Sequence, residues 1–393
     1  MTTVLDRIEE HAERIAALGP ANEAEGRLTD DAAKVLREVG IMRMLAPSTY
    51  GGFESHPVEW AEAVMRLASL DGASGWIGGI VGVHPWELAM ADPRVQQEIW
   101  GEDQDTWIGS PYAPMGVLTP TDGGYTLKGR WQFSSGTDHC SWLFLGALVG
   151  DENGAPHMPP QMVHVLLPRS DYQILHDSWD VVGLKGTGSK DVVVDGAFIP
   201  DYRVLSYDDV ASGKAAREAG LTNPLYLVPF SGIFPLGITS AVVGIAEGAL
   251  AHHLVYQRGR VQVTGTKIKD DPYVLTAIGE ASAEIHAART VLLDNVNRLY
   301  DGVAAGRAFG FAERADSRRN QVASAWRAVR AVDEIVGRSG GNGLRMDNPL
   351  QRFWRDAHMG LAHAIHVPGS INHVSALGQI GQEPPPGPMR AMI

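Results

Sequence analysis

Cysteine is nearly absent: Cys140 is the only one among 393 residues. An intrachain disulfide is therefore excluded, and a reducing cytoplasm fits. Dense runs of Lys or Arg are missing too, and the formal charge is -13. Nucleic acid and anionic membrane surfaces, which need a basic footprint, are not expected as partners. No unbroken apolar core opens the chain as a signal peptide would, because Asp6, Glu9 and Glu10 intervene. The most apolar window, 233–251, holds Glu247 and several glycines, which favours a buried helix over a membrane span. Walker A, His-Glu-x-x-His and paired Cys-x-x-Cys patterns are missing, as is a Gly-x-Gly-x-x-Gly after a strand. Neither a nucleotide fingerprint nor a metal site is expected.

What is present is an ordinary globular balance, 44% hydrophobic and 20% charged, enough for two or three domains with a substantial core. The period of the apolar residues changes twice. Residues 1–103 read as a helical domain, with Leu5, Ile8, Ala12 and Ile15 at helical spacing and Thr29 as a cap. A helix rich in small residues runs from Trp76 to His84 and must stop or bend at Pro85. Another runs from Asp92-Pro93 to Trp100. Residues 104–205 read as short strands, including 124–136, 142–149, 161–167, 172–176 and 191–198, which predict a small β-barrel or sandwich. Residues 206–393 hold the rest. The low-periodicity stretch 200–229 predicts a lid loop, and 233–258, 271–300, 313–339 and 349–366 predict a four-helix bundle. Pro384 to Pro388 predicts an extended tail. The fold class is α+β, mostly α.

Five stretches could carry chemistry. On a strand, Trp131, Phe133 and Ser135 share one side, a flat apolar surface with one hydroxyl that suits a planar heterocycle. A plain hydrophobic strand face would look the same. On a helix over 351–363, Phe353, Asp356, Gly360 and His363 share one face. An Arg/Asp pair beside a structural histidine is the plainer reading. Arg258-Gly259-Arg260 can hold a phosphate or simply end a helix. Gly183–Gly188 reads as a glycine-rich turn between strands, and Ser339–Gly343 as a loop whose amides can face an anion.

Gly183–Ser189, Arg260, Gly340–Gly343 and Arg355-Asp356-Ala357 together resemble the acyl-CoA dehydrogenase fold. Gly75-Trp76, Val81–Trp86, Tyr112–Gly116, Trp131–His139, Val182–Ser189 and Gln351–His363 resemble its flavin-dependent monooxygenase branch more closely. These are the oxygenase components of two-component aromatic hydroxylases, such as those acting on 4-hydroxyphenylacetate or a phenolic secosteroid. The resemblance implies reduced FMN (or FAD) delivered by a separate NAD(P)H-dependent flavin reductase, with O2 as co-substrate. A C4a-hydroperoxide would then hydroxylate a phenolic, multi-ring substrate ortho to its hydroxyl. It also implies a homotetramer. Residue by residue, it makes His363 the base for the phenol, His84 the holder of the substrate hydroxyl and Ser135 the partner of flavin N5. Trp131, Phe133, Ser135, Gly136, Gly186, Thr187, Ser189 and Arg260 would bind the flavin, and His84, Ser110 and Tyr112 the substrate. Asp356 and Arg355 would support His363, and His358 would be dispensable. N- or S-oxygenation on the same fold is the alternative. A dehydrogenase or a silent flavin carrier fits less well, since no glutamate stands out as the dehydrogenase base.

Overall fold

The computed structural model describes residues 2–385, 390 and 393; most of the expected extended tail lies outside them. Seven helices come first: α1 Val4–Glu10, α2 Ala12–Glu25, α3 Asp30–Val39, α4 Pro57–Leu70, α5 Gly72–Ile80, α6 His84–Leu88 and α7 Pro93–Trp100. Helix α5 starts where Asp71 accepts the Ser74 N–H at 3.0 Å. Its small residues let it wedge between neighbours. A Cβ on Gly75 would lie 2.3 Å from Ala68 Cα, and one on Gly79 2.5 Å from the Gly237 carbonyl. The predicted run to His84 therefore ends four residues early, and Pro85 opens α6 instead of ending α5.

The strands are β1 Ile108–Gly109, β2 Gly116–Thr121, β3 Gly124–Ser134, β4 Trp142–Val149, β5 Met162–Pro168, β6 Gln173–Leu175, β7 Lys190–Pro200 and β8 Val204–Ser206. They form one sheet in the order β6-β7-β3-β2-β4-β5-β8, with β1 beside β4. Hydrogen bonding does not close it, so β6 and β8 are edges and the barrel is an open one. Parity decides what each face touches. Leu143, Leu145, Val163, Val165 and Leu167 line the sheet's own core, whereas Phe144 and Leu166 join the helical core. His164 has the parity of Leu166.

The expected lid loop is not structureless. It contains α8 Tyr207–Ala211, α9 Lys214–Glu218 and α10 Pro224–Leu227, and α10 is docked where the Trp86 indole donates to the Leu225 carbonyl at 2.9 Å. Then come α11 Phe230–Gln257, α12 Pro272–Ala304, α13 Phe311–Gly337 and α14 Pro349–Leu361. Among the described residues α11 is the one helix long and apolar enough to cross a membrane. Its apolar window is 89% buried inside the protein, as expected of a core helix. A fifth helix, α15 Pro368–Gln379, adds to the predicted four; Ser375 ties it to Asp316 of α13 at 2.6 Å. The 349–366 run stops at Leu361 because His363 turns extended (φ -60°, ψ 140°) and caps a new short turn, Ala364–His366. His363 therefore leaves the helical face that Phe353, Asp356 and Gly360 do share.

Candidate active site

The surface expected from Trp131, Phe133 and Ser135 does not form. The register of β3 against β7 jumps between Trp131 and Ser134, and Phe133 sits at φ +66°. That bulge breaks the alternation. Trp131 turns into the sheet core, fully buried, with its indole N–H on the Gly146 carbonyl at 2.8 Å. Phe133 swings outward, 57% exposed, edge-on to Trp179. Ser135 goes inward to a chain of hydroxyls. Thr187 donates to the Leu184 carbonyl (2.8 Å), which leaves Ser189 to donate to Thr187 (2.7 Å) and Ser135 to donate to Ser189 (2.7 Å). The Trp76 indole N–H closes the chain on Ser135 Oγ at 3.2 Å. Gly136 is pinned alongside, its N–H on the Thr187 carbonyl at 2.9 Å.

Helix α14 holds this turn in place. A Cβ on Gly183 would lie 2.2 Å from the Arg355 carbonyl, so only glycine lets the backbones approach. Leu184, at φ +51°, points its N–H at Asp356 Oδ1, 2.5 Å away. Arg355 reaches the Val182 carbonyl (2.6 Å) and Glu23 (2.5 Å). Burial, with Asp71 nearby, pushes the Asp356 carboxyl up to about 7. The interdomain support expected of Arg355 and Asp356 is thus visible as contacts, while His358 faces outward to Asp333. Gly183→Ala is expected to lower stability by about 1–3 kcal/mol through forced separation of turn and helix, read as a drop in the thermal midpoint.

The two histidines of interest sit in different company. His84 is fully buried, and its Nδ1–H donates to the Ile108 carbonyl at 2.5 Å. Its Nε2 is buried without a partner. Burial drives its pKa down to about 4, so the ring is neutral and Nε2 carries a lone pair. Tyr112 lies against it, ring centroids 5.5 Å apart, with its hydroxyl also buried and unbonded. Burial and the nearby Glu87 carboxylate raise the Tyr112 phenol well above 10. Each such orphan costs about 1–3 kcal/mol unless something binds it. Ser110 is buried next to β1, two residues before Tyr112.

His363 is half-buried beside Trp76, ring centroids 5.9 Å apart. Its Nδ1 accepts the Ile365 N–H at 3.2 Å, so the neutral ring carries its proton on Nε2. Burial and the Arg318 charge hold its pKa down at about 4. Gly360 makes room for Trp76, whose ring would lie 3.1 Å from a Cβ there. Through Trp76, His363 belongs with the Ser135 chain; His84 belongs with Tyr112. Arg260 is apart from both, half-buried, bonded to Gln257 (3.1 Å) and lying along Gly340, where a Cβ would come within 2.9 Å of its guanidinium. Gly186 is packed on Asn22 and Ala73.

Residues 236–368 match the family model "Acyl-CoA dehydrogenase, C-terminal domain". The chain is 57% identical to a pigment production hydroxylase of Rhodococcus erythropolis over 99% of both chains. It is 42% identical to the flavin-dependent monooxygenase oxygenase subunit HsaA of Mycobacterium tuberculosis, covering 93% of this chain and 92% of that one. The chain belongs to the flavin-dependent monooxygenases. A crystal structure of the M. tuberculosis HsaA monooxygenase superposes with a TM-score of 0.92 at 40% identity over 99% of each chain. The fold is therefore that of the acyl-CoA dehydrogenases, and a reduced flavin is the cofactor. Sequence reasoning does not single out three further residues packed around these groups. Trp76 is signalled by its place opposite Gly360. Glu87 lies one helical turn after His84, and His164 is the polar residue in an apolar strand.

Proposed function

We propose that the chain hydroxylates a phenolic aromatic ring, ortho to its hydroxyl, using reduced flavin and O2. The single observation that carries this is the His84 ring: buried, neutral and with Nε2 free to accept a proton. The names of the relatives, a hydroxylase and an oxygenase subunit, point the same way. The donor set fits a flavin. Phe133 offers an exposed ring, while Ser135, Thr187 and Ser189 offer hydroxyls on a tightly packed turn. Gly136 and Gly186 keep the backbone close, and Arg260 with the Gly340–Gly343 loop offers a phosphate fork. Trp131 supports this edge from inside the sheet. When bound, the flavin supplies the electrons that activate dioxygen.

The protein's own residues do the rest. A phenol has a pKa of about 10, and drawing off its proton makes the ring richer in electrons as oxygen arrives. His84 Nε2 is placed to take that proton, anchored at the other nitrogen by Ile108. The resemblance makes His363 this base. In the present tautomer, however, His363 has no free lone pair, because Nδ1 is occupied by Ile365 and Nε2 holds the proton. Its role is that of a donor on the Ser135 side. Tyr112 lies against His84 and Ser110 is buried two residues before Tyr112, and the surrounding aromatic side chains exclude water.

The partner is a separate NAD(P)H-dependent flavin reductase, as the naming of relatives as an oxygenase subunit suggests. The substrate is a multi-ring phenol and the assembly a homotetramer. Exposed Val261, Val263, Leu344 and Met346 around the Arg260 loop support a subunit face there. The test is to supply chemically reduced FMN or FAD with O2 and a panel of phenols, and to follow products by mass. A catechol product is expected. Peroxide alone across phenols, with oxidation of amines or thioethers instead, would favour the N- or S-oxygenase reading.

A further inference from the structure

Behind His84 lies a second polar group that the hydroxylase reading does not use. Glu87 is on α6, three residues after His84 and so on nearly the same helical face. Its Oε1 is 2.5 Å from His164 Nδ1, with both residues buried (2% and 0% exposed). The parity of β5 turns His164 away from the sheet core, toward the helices. The Tyr112 ring stacks on His164, centroids 4.1 Å apart and 17° between planes. Phe234 stacks on Tyr112 at 5.0 Å, and Phe144 meets it edge-on at 5.8 Å.

Three polar atoms in this nest are buried without a hydrogen-bond partner: His84 Nε2, Tyr112 Oη and His164 Nε2. Buried polar groups are almost always satisfied, and three orphans on rings joined through Tyr112 ask for a ligand that satisfies them. Aromatic walls around them ask for a flat one. The ring contacts tie Tyr112 to both histidines.

We propose that Glu87, His164 and Tyr112 form a second polar subsite that receives another hydroxyl of the aromatic substrate, apart from the one held by His84. A hydroxyl is singled out by its chemistry. It can accept from Tyr112 O–H and donate to His164 Nε2 at once. A carbonyl could serve only a donor, and an alkyl group serves neither. Glu87 acts through His164 as a positioning residue: by taking Nδ1–H it fixes which ring nitrogen faces the ligand. The preferred substrates are then dihydroxylated aromatics. This rests on His84 as the anchor of the first hydroxyl.

The experiment compares matched pairs, phenol with 1,3-dihydroxybenzene and 2-naphthol with dihydroxynaphthalenes. Binding to the protein is measured by calorimetry, and kcat/KM with reduced flavin. Wild type is expected to favour the diol of at least one pair by about tenfold or more, because a site built for a hydroxyl penalises its absence. Tyr112→Phe, which keeps the ring stack, and Glu87→Leu, which removes the acceptor for His164 Nδ1–H, should each bring the diol preference to within about threefold, whereas Glu87→Gln, which keeps that acceptor, should retain the preference. The effect should appear in KM and binding more than in kcat. Equal weakening of both members of a pair, or a wild type with no diol preference, would overturn the subsite. The arms separate the two claims. Selective diol binding without any oxygenated product would sink the hydroxylase reading and leave the subsite standing, and hydroxylation without diol preference would do the reverse.

Discussion

His84→Asn should cut hydroxylation by about 10²–10⁴-fold while the protein still oxidises reduced flavin, with oxygen leaving as hydrogen peroxide. The asparagine amide can keep the bond to the Ile108 carbonyl that Nδ1 now makes, so the local fold survives. What it lacks is a basic nitrogen at the Nε2 position. The His84 pKa of about 4 adds a pH signature. The acceptor is neutral from about pH 5 upward, so product per flavin oxidised should be flat to about pH 8 and fall only as the pH approaches 4. His363→Asn makes the contrast. Asparagine can accept the Ile365 N–H in place of Nδ1, and the residue sits on the Ser135 side. Its effect should fall on the rate of flavin reoxidation, with product per flavin oxidised within about threefold of wild type. Rapid-mixing measurements with parallel product and peroxide assays check both. A His363→Asn enzyme that reoxidises flavin normally but makes no product would return the base role to His363.

The second large effect concerns stability. Asp356→Ala should cost about 1–3 kcal/mol or more, because it strands the buried Leu184 N–H at the turn carrying Thr187 and Ser189. Asp356→Asn keeps an acceptor there and isolates the charge. The carboxyl is raised from 3.8 to about 7 in the folded protein, chiefly by burial. Folding therefore favours its protonated form. That contribution is fully present below about pH 4 and is lost as the pH rises toward 7, at roughly 1.4 kcal/mol for each pH unit crossed. Buried histidines such as His84 and His366 act in the opposite direction as pH falls, so the difference between wild type and Asp356→Asn is the quantity to follow. Denaturant unfolding from about pH 4.5 to about pH 8 should show the variant gaining on wild type as pH rises. A difference independent of pH would mean that Asp356 is ionised throughout.

Periodicity alone locates most of the elements that carry these residues. The boundaries of β4, α7 and α12 follow the apolar pattern within a few residues, since each buries one consistent face. Pattern fails where local geometry overrides period. A bulge at Phe133 sends Trp131 and Ser135 to different places, and no composition signal marks it. Spacing puts His363 on a helical face because nothing before Pro368 announces that the chain turns extended two residues after Leu361. The 200–229 stretch hides three helices of four or five residues, too short to show a period. Glu87 and His164 are within reach of sequence reasoning: a carboxylate and an imidazole placed among buried apolar neighbours need each other. Which nitrogen of each histidine bears a proton is not legible in sequence, since it depends on the carbonyl or amide that the fold sets beside the ring.

The most direct measurement is a single turnover with chemically reduced flavin, isotopically labelled dioxygen and a phenol or naphthalenediol. Wild type is expected to yield an ortho-hydroxylated product carrying one labelled oxygen atom, the other appearing in water. His84→Asn should divert the label to hydrogen peroxide. Two labelled atoms in the product, or label in peroxide alone from wild type with every phenol, would contradict phenol hydroxylation at His84.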